Sequence, residues 1–98
     1  MSDDINKEKL IANMTDNLPV LRAKLSLSQV QLAGKVGISR QTIMNIENKK
    51  RGMAWNTFVA LLSVFREDNS TSDLLEHFGI YTPGLSKYLI SPGRYNSD

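Results

Sequence analysis

The chain has no cysteine and one histidine, His77, in 98 residues. Without thiols there are no disulfides, no thiol catalysis and no Cys-based zinc site, and one imidazole cannot build a multi-histidine metal site. His77 reads as a surface or boundary histidine. No apolar run approaches the roughly 20 residues of a membrane span; the longest, 58–62, is followed after one serine by 64–65. The opening MSDDINKEKL lacks the basic-then-apolar order of a signal peptide, which leads us to expect a cytoplasmic protein. Acid is also scarce where it would matter for catalysis: Glu47 is the one acidic residue in 20–66. That segment offers neither a carboxylate pair nor a nucleophile-base pair, and no motif points to a metal or cofactor. An enzyme is the least expected reading.

What is present is positive charge, concentrated. The net charge is +2, but 20–66 carries eight basic residues against Glu47, a net +7, while the remainder is −5. A polyanion partner needs such a segment, because each neutralised phosphate releases condensed counterions. With a length that allows one domain at most, the charge points to one basic face.

The basic segment contains SQVQLAGKVGISRQTIMNIEN, residues 28–48. Ser28 and Gln31 have the spacing of a capping box, and Leu27 and Leu32 that of a hydrophobic staple. Gly37 suits the left-handed residue that ends a helix. Only Ile38 precedes Ser39, a second N-cap, with Ile38 and Ile43 as a second staple. Two short helices are started, stopped and restarted: a helix-turn-helix. At about 100° per residue, Ile43 and Ile46 of the second helix point one way. Arg40, Gln41, Met44, Asn45 and Asn48 share an arc of roughly 140° on the other. This face is polar, with Arg40 its sole charge. Arg can pair bidentately with guanine, Gln or Asn with adenine, and Met can meet a thymine methyl. It has the chemistry of a base reader.

On the N-terminal side, 1–4 reads as polar and disordered. A short helix is predicted over about 5–13 and a second from an Asp16 N-cap to about Leu25, with Pro19 in its first turn, where a missing N–H costs nothing; a continuous helix would be kinked there. After the helix-turn-helix, Lys49, Lys50 and Arg51 follow the reading helix closely enough to reach a DNA backbone. Residues 55–65 form a strongly apolar helix, which Ala54 caps poorly. Residues 66–71 read as a polar connector, Ser72 as the cap of a helix over 73–78, and Gly79 as its stop. A Pro83-Gly84 turn, a short apolar segment over 87–90 and a disordered 91–98 complete the reading. The apolar residues of 74–90 either cover the core or form a dimer surface. The expected organisation is an N-terminal extension, partly helical, over 1–16, a DNA-binding domain over 17–66, and a C-terminal extension over 67–98.

Over about 18–65 the residues resemble the lambda-repressor/Cro (XRE-type) helix-turn-helix family. The pattern stands as LR at 21–22, LSQ at 27–29, LA at 32–33, VGISRQTI at 36–43 and IE at 46–47, followed by the apolar helix. The resemblance implies an all-α, five-helix domain with short extensions, whose second and third helices are those above, Ala33 standing where they cross. It implies an ion pair between Arg22 and Glu47, which the lone acid of the +7 segment suits. It implies base contacts from Arg40, Gln41, Asn45 and, less centrally, Met44. Phosphate contacts are implied for Gln29, Ser39, Asn48 and the cations Lys49, Lys50 and Arg51. The chain departs from the family at Lys49, where many members have Gly, and at Met53-Ala54, where many have Pro-Ser. Asn48 or Lys49 must make that turn without glycine.

The function expected is that of a sequence-specific regulator of transcription, a repressor, reading an inverted repeat in double-stranded DNA as a homodimer. The alternative is a DNA-binding antitoxin whose C-terminal segment binds a toxin partner. An interaction module that kept the fold without DNA binding is a third reading, which the +7 segment opposes.

Overall fold

The structure, a computed structural model, describes residues 5–96, with side chains to residue 90. The described residues form six helices and no strand: α1 (Lys7–Lys24), α2 (Gln29–Val36), α3 (Arg40–Glu47), α4 (Trp55–Arg66), α5 (Asn69–His77) and α6 (Pro83–Asn96). None is long and apolar enough to cross a membrane.

The N-terminal helix differs from the sequence expectation. One helix replaces the two expected over 5–25, and it runs through Pro19. Its cap is Asn6, whose side chain accepts from the Lys9 N–H at 3.0 Å, and not Asp16. The reason is burial. Leu10, Met14, Leu18 and Leu21 form one buried stripe on both sides of Pro19, while Pro19 is exposed. An interior proline costs ~3 kcal/mol, and burying four large side chains contributes ~1.5–3 kcal/mol each. The disorder expected for 1–4 lies outside the described residues.

The helix-turn-helix forms where its local signals put it. Ser28 and Gln31 close the capping box, with Ser28 Oγ accepting from the Gln31 N–H at 3.0 Å and Gln31 Oε1 from the Ser28 N–H at 2.8 Å. Gly37 ends α2 at φ +77, and Ser39 Oγ accepts the Thr42 N–H at 3.1 Å to begin α3. A Cβ on Gly37 would meet nothing within 4 Å, so its backbone angle, not crowding, demands glycine there. α1 packs on α3, α4 and α5, and α2 packs on α3 and α4. Leu32, Ala33, Ile43, Ile46, Phe58, Leu61, Leu62 and Phe65 join the α1 stripe in a single core. Ala54 makes no side-chain cap, and buried Met53 anchors the chain just before α4.

Two C-terminal elements also differ from expectation. α5 begins at Asn69, capped by Asp68 and not Ser72, so part of the expected connector is helical. The earlier start brings Thr71 into the core, where it is fully buried and its hydroxyl donates to the Phe65 carbonyl at 2.6 Å. Gly79, at φ +71, follows the end of α5. Pro83-Gly84 is the first turn of α6 and not a separate turn: proline at the first helical position forfeits no hydrogen bond, and Thr82 Oγ1 accepts the Leu85 N–H at 3.1 Å. α6 continues to Asn96, where 91–96 was expected to be disordered; 97–98 lie outside the described residues. Ile80 and Leu85 are buried and Tyr88 packs on the core, so this segment covers its own subunit, while Leu89 and Ile90 stay exposed. Lys7 reinforces the closure, its ammonium lying 4.7 Å from the Trp55 ring and 5.2 Å from that of Tyr88.

Thr71→Val keeps the shape but leaves a carbonyl at the end of α4 without its donor. The expected loss is about 1–3 kcal/mol in urea unfolding; an unchanged midpoint would show that the hydroxyl is dispensable. At α5, hydrogen bonds from the Ser70 hydroxyl and N–H hold the Asp68 carboxyl below its ordinary pKa. A depressed folded value means that the cap stabilises fully above the ordinary aspartate value of about 3.9 and is lost as pH falls through the lower one. Carbon-detected NMR titration of Asp68 should therefore give a midpoint below the ordinary value.

Candidate nucleic-acid interface

α3 is about 12 Å long at 1.5 Å per residue, comparable to the width of the major groove. Its inner face is spent on the core through Ile43 and Ile46. Arg40 and Gln41 are exposed on the outer face, and Met44 and Asn45 half-buried. The structure brings Gln41 and Asn45 together: Gln41 Nε2 donates to Asn45 Oδ1 at 3.3 Å. That direction orients both amides on one turn of helix, with the Gln41 carbonyl oxygen and the Asn45 amide hydrogens left for an outside partner. The two amides thus present an acceptor and donors side by side, the pattern that matches an adenine edge.

The base of α3 is clamped. Arg22 meets Glu47 bidentately, Nε to Oε2 at 2.9 Å and Nη2 to Oε1 at 3.1 Å. Gln29 Nε2 donates to the same Oε1 at 3.0 Å, and Arg22 Nη1 donates to the Leu27 carbonyl at 3.0 Å. One carboxylate thereby joins the end of α1, the start of α2 and the end of α3. The hydrogen bond that Arg22 donates to Glu47 raises the Arg22 pKa beyond its already high value, opposed by burial. Glu47 would otherwise be unfavourable there, since the C-terminal end of a helix is its negative pole. With its side chain 6% exposed, the acid is withdrawn from the basic surface.

Of the residues expected at phosphates, Ser39 is exposed, with its hydroxyl 2.9 Å from that of Thr42. Gln29 is half-buried and keeps a second amide hydrogen beyond the one given to Glu47. Asn48, Lys49, Lys50 and Arg51 are all exposed on the loop that leaves α3. Lys49 takes the turn conformation at φ +61 that glycine would take without strain. This is the position where many members of the family have Gly, and Asn48, at φ −86, does not share the conformation. Loop and α3 lie in one continuous stretch, so cations flank the outer face at its C-terminal end and Arg40 at its N-terminal end.

Asp16 joins the site without any signal in the sequence pattern. Its carboxylate lies 2.8 Å from Lys49 Nζ, both side chains being exposed. No motif relates positions so far apart in sequence, and Asp16 looked like a helix cap. Among the described residues no group of three or more His, Asp or Glu side chains could hold a metal ion.

The clamp predicts an asymmetry. Arg22→Ala leaves the Glu47 carboxylate buried with Gln29 alone, whereas Glu47→Ala leaves an arginine whose side chain, 21% exposed, can turn to water. Breaking a fully buried pair costs about 3–5 kcal/mol. We expect Arg22→Ala to approach that figure and Glu47→Ala to cost less, both read from urea unfolding; the reverse order would mean that Arg22 is the costlier charge to strand.

Comparison with known proteins supplies one match. The model of the family described as Helix-turn-helix matches residues 21–65, from the Leu21-Arg22 pair to the buried Phe65 of α4. No curated protein and no solved structure is matched. The match spans the clamp, both helices of the motif, the cationic loop and the apolar helix behind them. Residues 21–65 are thus a helix-turn-helix domain of the XRE, or lambda-repressor-like, DNA-binding type.

Proposed function

We propose that this DNA-binding regulator is sequence-specific and acts as a repressor, laying α3 in the major groove of double-stranded DNA. The observation that carries the reading is the Gln41–Asn45 amide pair on the outer face of a helix whose C-terminal end is clamped by Arg22, Glu47 and Gln29. A reading helix must hold its side chains in one register, and a fixed helix with linked amides meets that need. Arg40, Gln41, Asn45 and Met44 are assigned to base edges. Ser39, Gln29, Asn48, Lys50 and Arg51 are assigned to phosphates, with Lys49 joining them when it leaves Asp16.

A single α3 covers one half-site, so a homodimer would read two half-sites about one helical turn apart. Exposed Leu89 and Ile90 on α6 give such a dimer an apolar contact. Repression then follows from occupancy of a promoter. The same two residues are what an antitoxin would offer a toxin, and copurification with a second small protein would favour that reading.

Selection of bound duplexes from a random pool at fixed salt tests the proposal, since affinity without salt control carries no meaning. An inverted repeat with half-sites about 10 bp apart is expected; recovery of no sequence would defeat it. Against the selected operator, Gln41→Ala should lower discrimination by about 1–3 kcal/mol, whereas Lys50→Ala should weaken all sequences alike and reduce the salt slope by about 1. Unaltered sequence preference in Gln41→Ala would remove Gln41 from the base-reading set.

A further inference from the structure

An acid from outside the basic segment meets the cationic loop. Asp16, on the exposed side of α1, places Oδ1 2.8 Å from Lys49 Nζ. Ala12, Thr15 and Asp16 from α1 and Lys49, Lys50 and Arg51 from the loop line a shallow cleft of about 370 Å³. Asp16 therefore faces the same solvent as the cations that follow α3. Both members of the pair are more than half exposed, with 66% of the Lys49 side chain and 57% of that of Asp16 accessible.

An exposed pair of this kind adds little to stability, so its consequence is to be sought on the loop itself. A lysine already neutralised by a carboxylate carries no condensed anion and gains no net charge pairing when it exchanges that carboxylate for a phosphate. Counterion release by DNA, which drives such binding, scales with the number of phosphates newly neutralised. The paired Lys49 is thus subtracted from the set that Lys50 and Arg51 belong to.

We propose that Asp16 is a positioning residue of the DNA interface: it withholds Lys49 from phosphate and so lowers the affinity and the salt dependence of binding to every duplex. The proposal rests on the assignment of α3 and its loop to DNA. It requires neither a conformational change in the helices nor a ligand, since the lysine side chain alone moves.

The test is fluorescence anisotropy of the full chain on a random-sequence duplex across a salt series, with thermal unfolding confirming that each variant is folded. Asp16→Asn should raise affinity roughly two- to fivefold, the range set by one exposed ion pair, and steepen the slope of log K against log salt by about 0.9. Lys49→Ala alone should change little, and the double variant should match Lys49→Ala. Lys50→Ala is the reference. If it weakens binding while Asp16→Asn changes neither affinity nor slope, Asp16 is a bystander and the proposal fails alone. If Asp16→Asn strengthens binding equally with alanine at 49, the route through Lys49 is wrong. If Lys50→Ala is also without effect, the DNA assignment itself falls, and this inference with it.

Discussion

The Glu47 carboxylate is the constraint on which the rest of the interface depends. It accepts from Arg22 twice and from Gln29 once, so three helices converge on two oxygen atoms. Arg22 adds a bond to the Leu27 carbonyl, which ties the turn before α2 into the same network. Burying an ion pair is not in itself a strong source of stability. Its effect here is geometric: α3 cannot rotate or slide against α1 and α2 without stranding a charge. The hydrophobic contacts of Ile43 and Ile46 hold α3 to the core, and the directional bonds at Glu47 fix its orientation.

That division of labour leaves the outer face of α3 free of structural duty. None of Arg40, Gln41 or Asn45 belongs to the core, and the bond between the two amides lies within the face itself. The same withdrawal shapes the electrostatics. The only acid of the +7 segment is turned inward against Arg22, so the surface of that segment carries cations without an acid of its own. Among the described residues, the acid that reaches the loop is borrowed from α1, at Asp16. Charge on this protein is therefore arranged by the packing of α1 against the family domain as much as by the domain's own residues.

The helices outside the family domain serve the same core. α1 extends well before residue 21 because Leu10 and Met14 continue the stripe begun by Leu18 and Leu21. α5 and α6 add Leu75, Ile80 and Leu85 at its far side. The Lys7 ammonium between Trp55 and Tyr88 links the first helix to the last across α4. These extensions enlarge a core that would be small for half of a 98-residue chain.

The parts of this protein legible in its sequence are those governed by neighbours along the chain. Ser28, Gln31, Gly37 and Ser39 define where α2 and α3 begin and end because caps and left-handed stops act over three or four residues. The apolar stripe of α4 was visible for the same reason. The outer face of α3 followed from helical period alone, and the family resemblance suggested the partner of Glu47. Tertiary structure decided the remainder. Pro19 sits inside a helix because burial on both sides outweighs its local cost, and Asp68 displaces Ser72 as a cap because an earlier start buries Thr71 against Phe65. Pro83-Gly84 could begin a helix or make a turn; the burial of Leu85 selects the helix. Only folding brings Asp16 to Lys49, since the contact depends on how α1 crosses the loop after α3, a distance in space that no local pattern encodes.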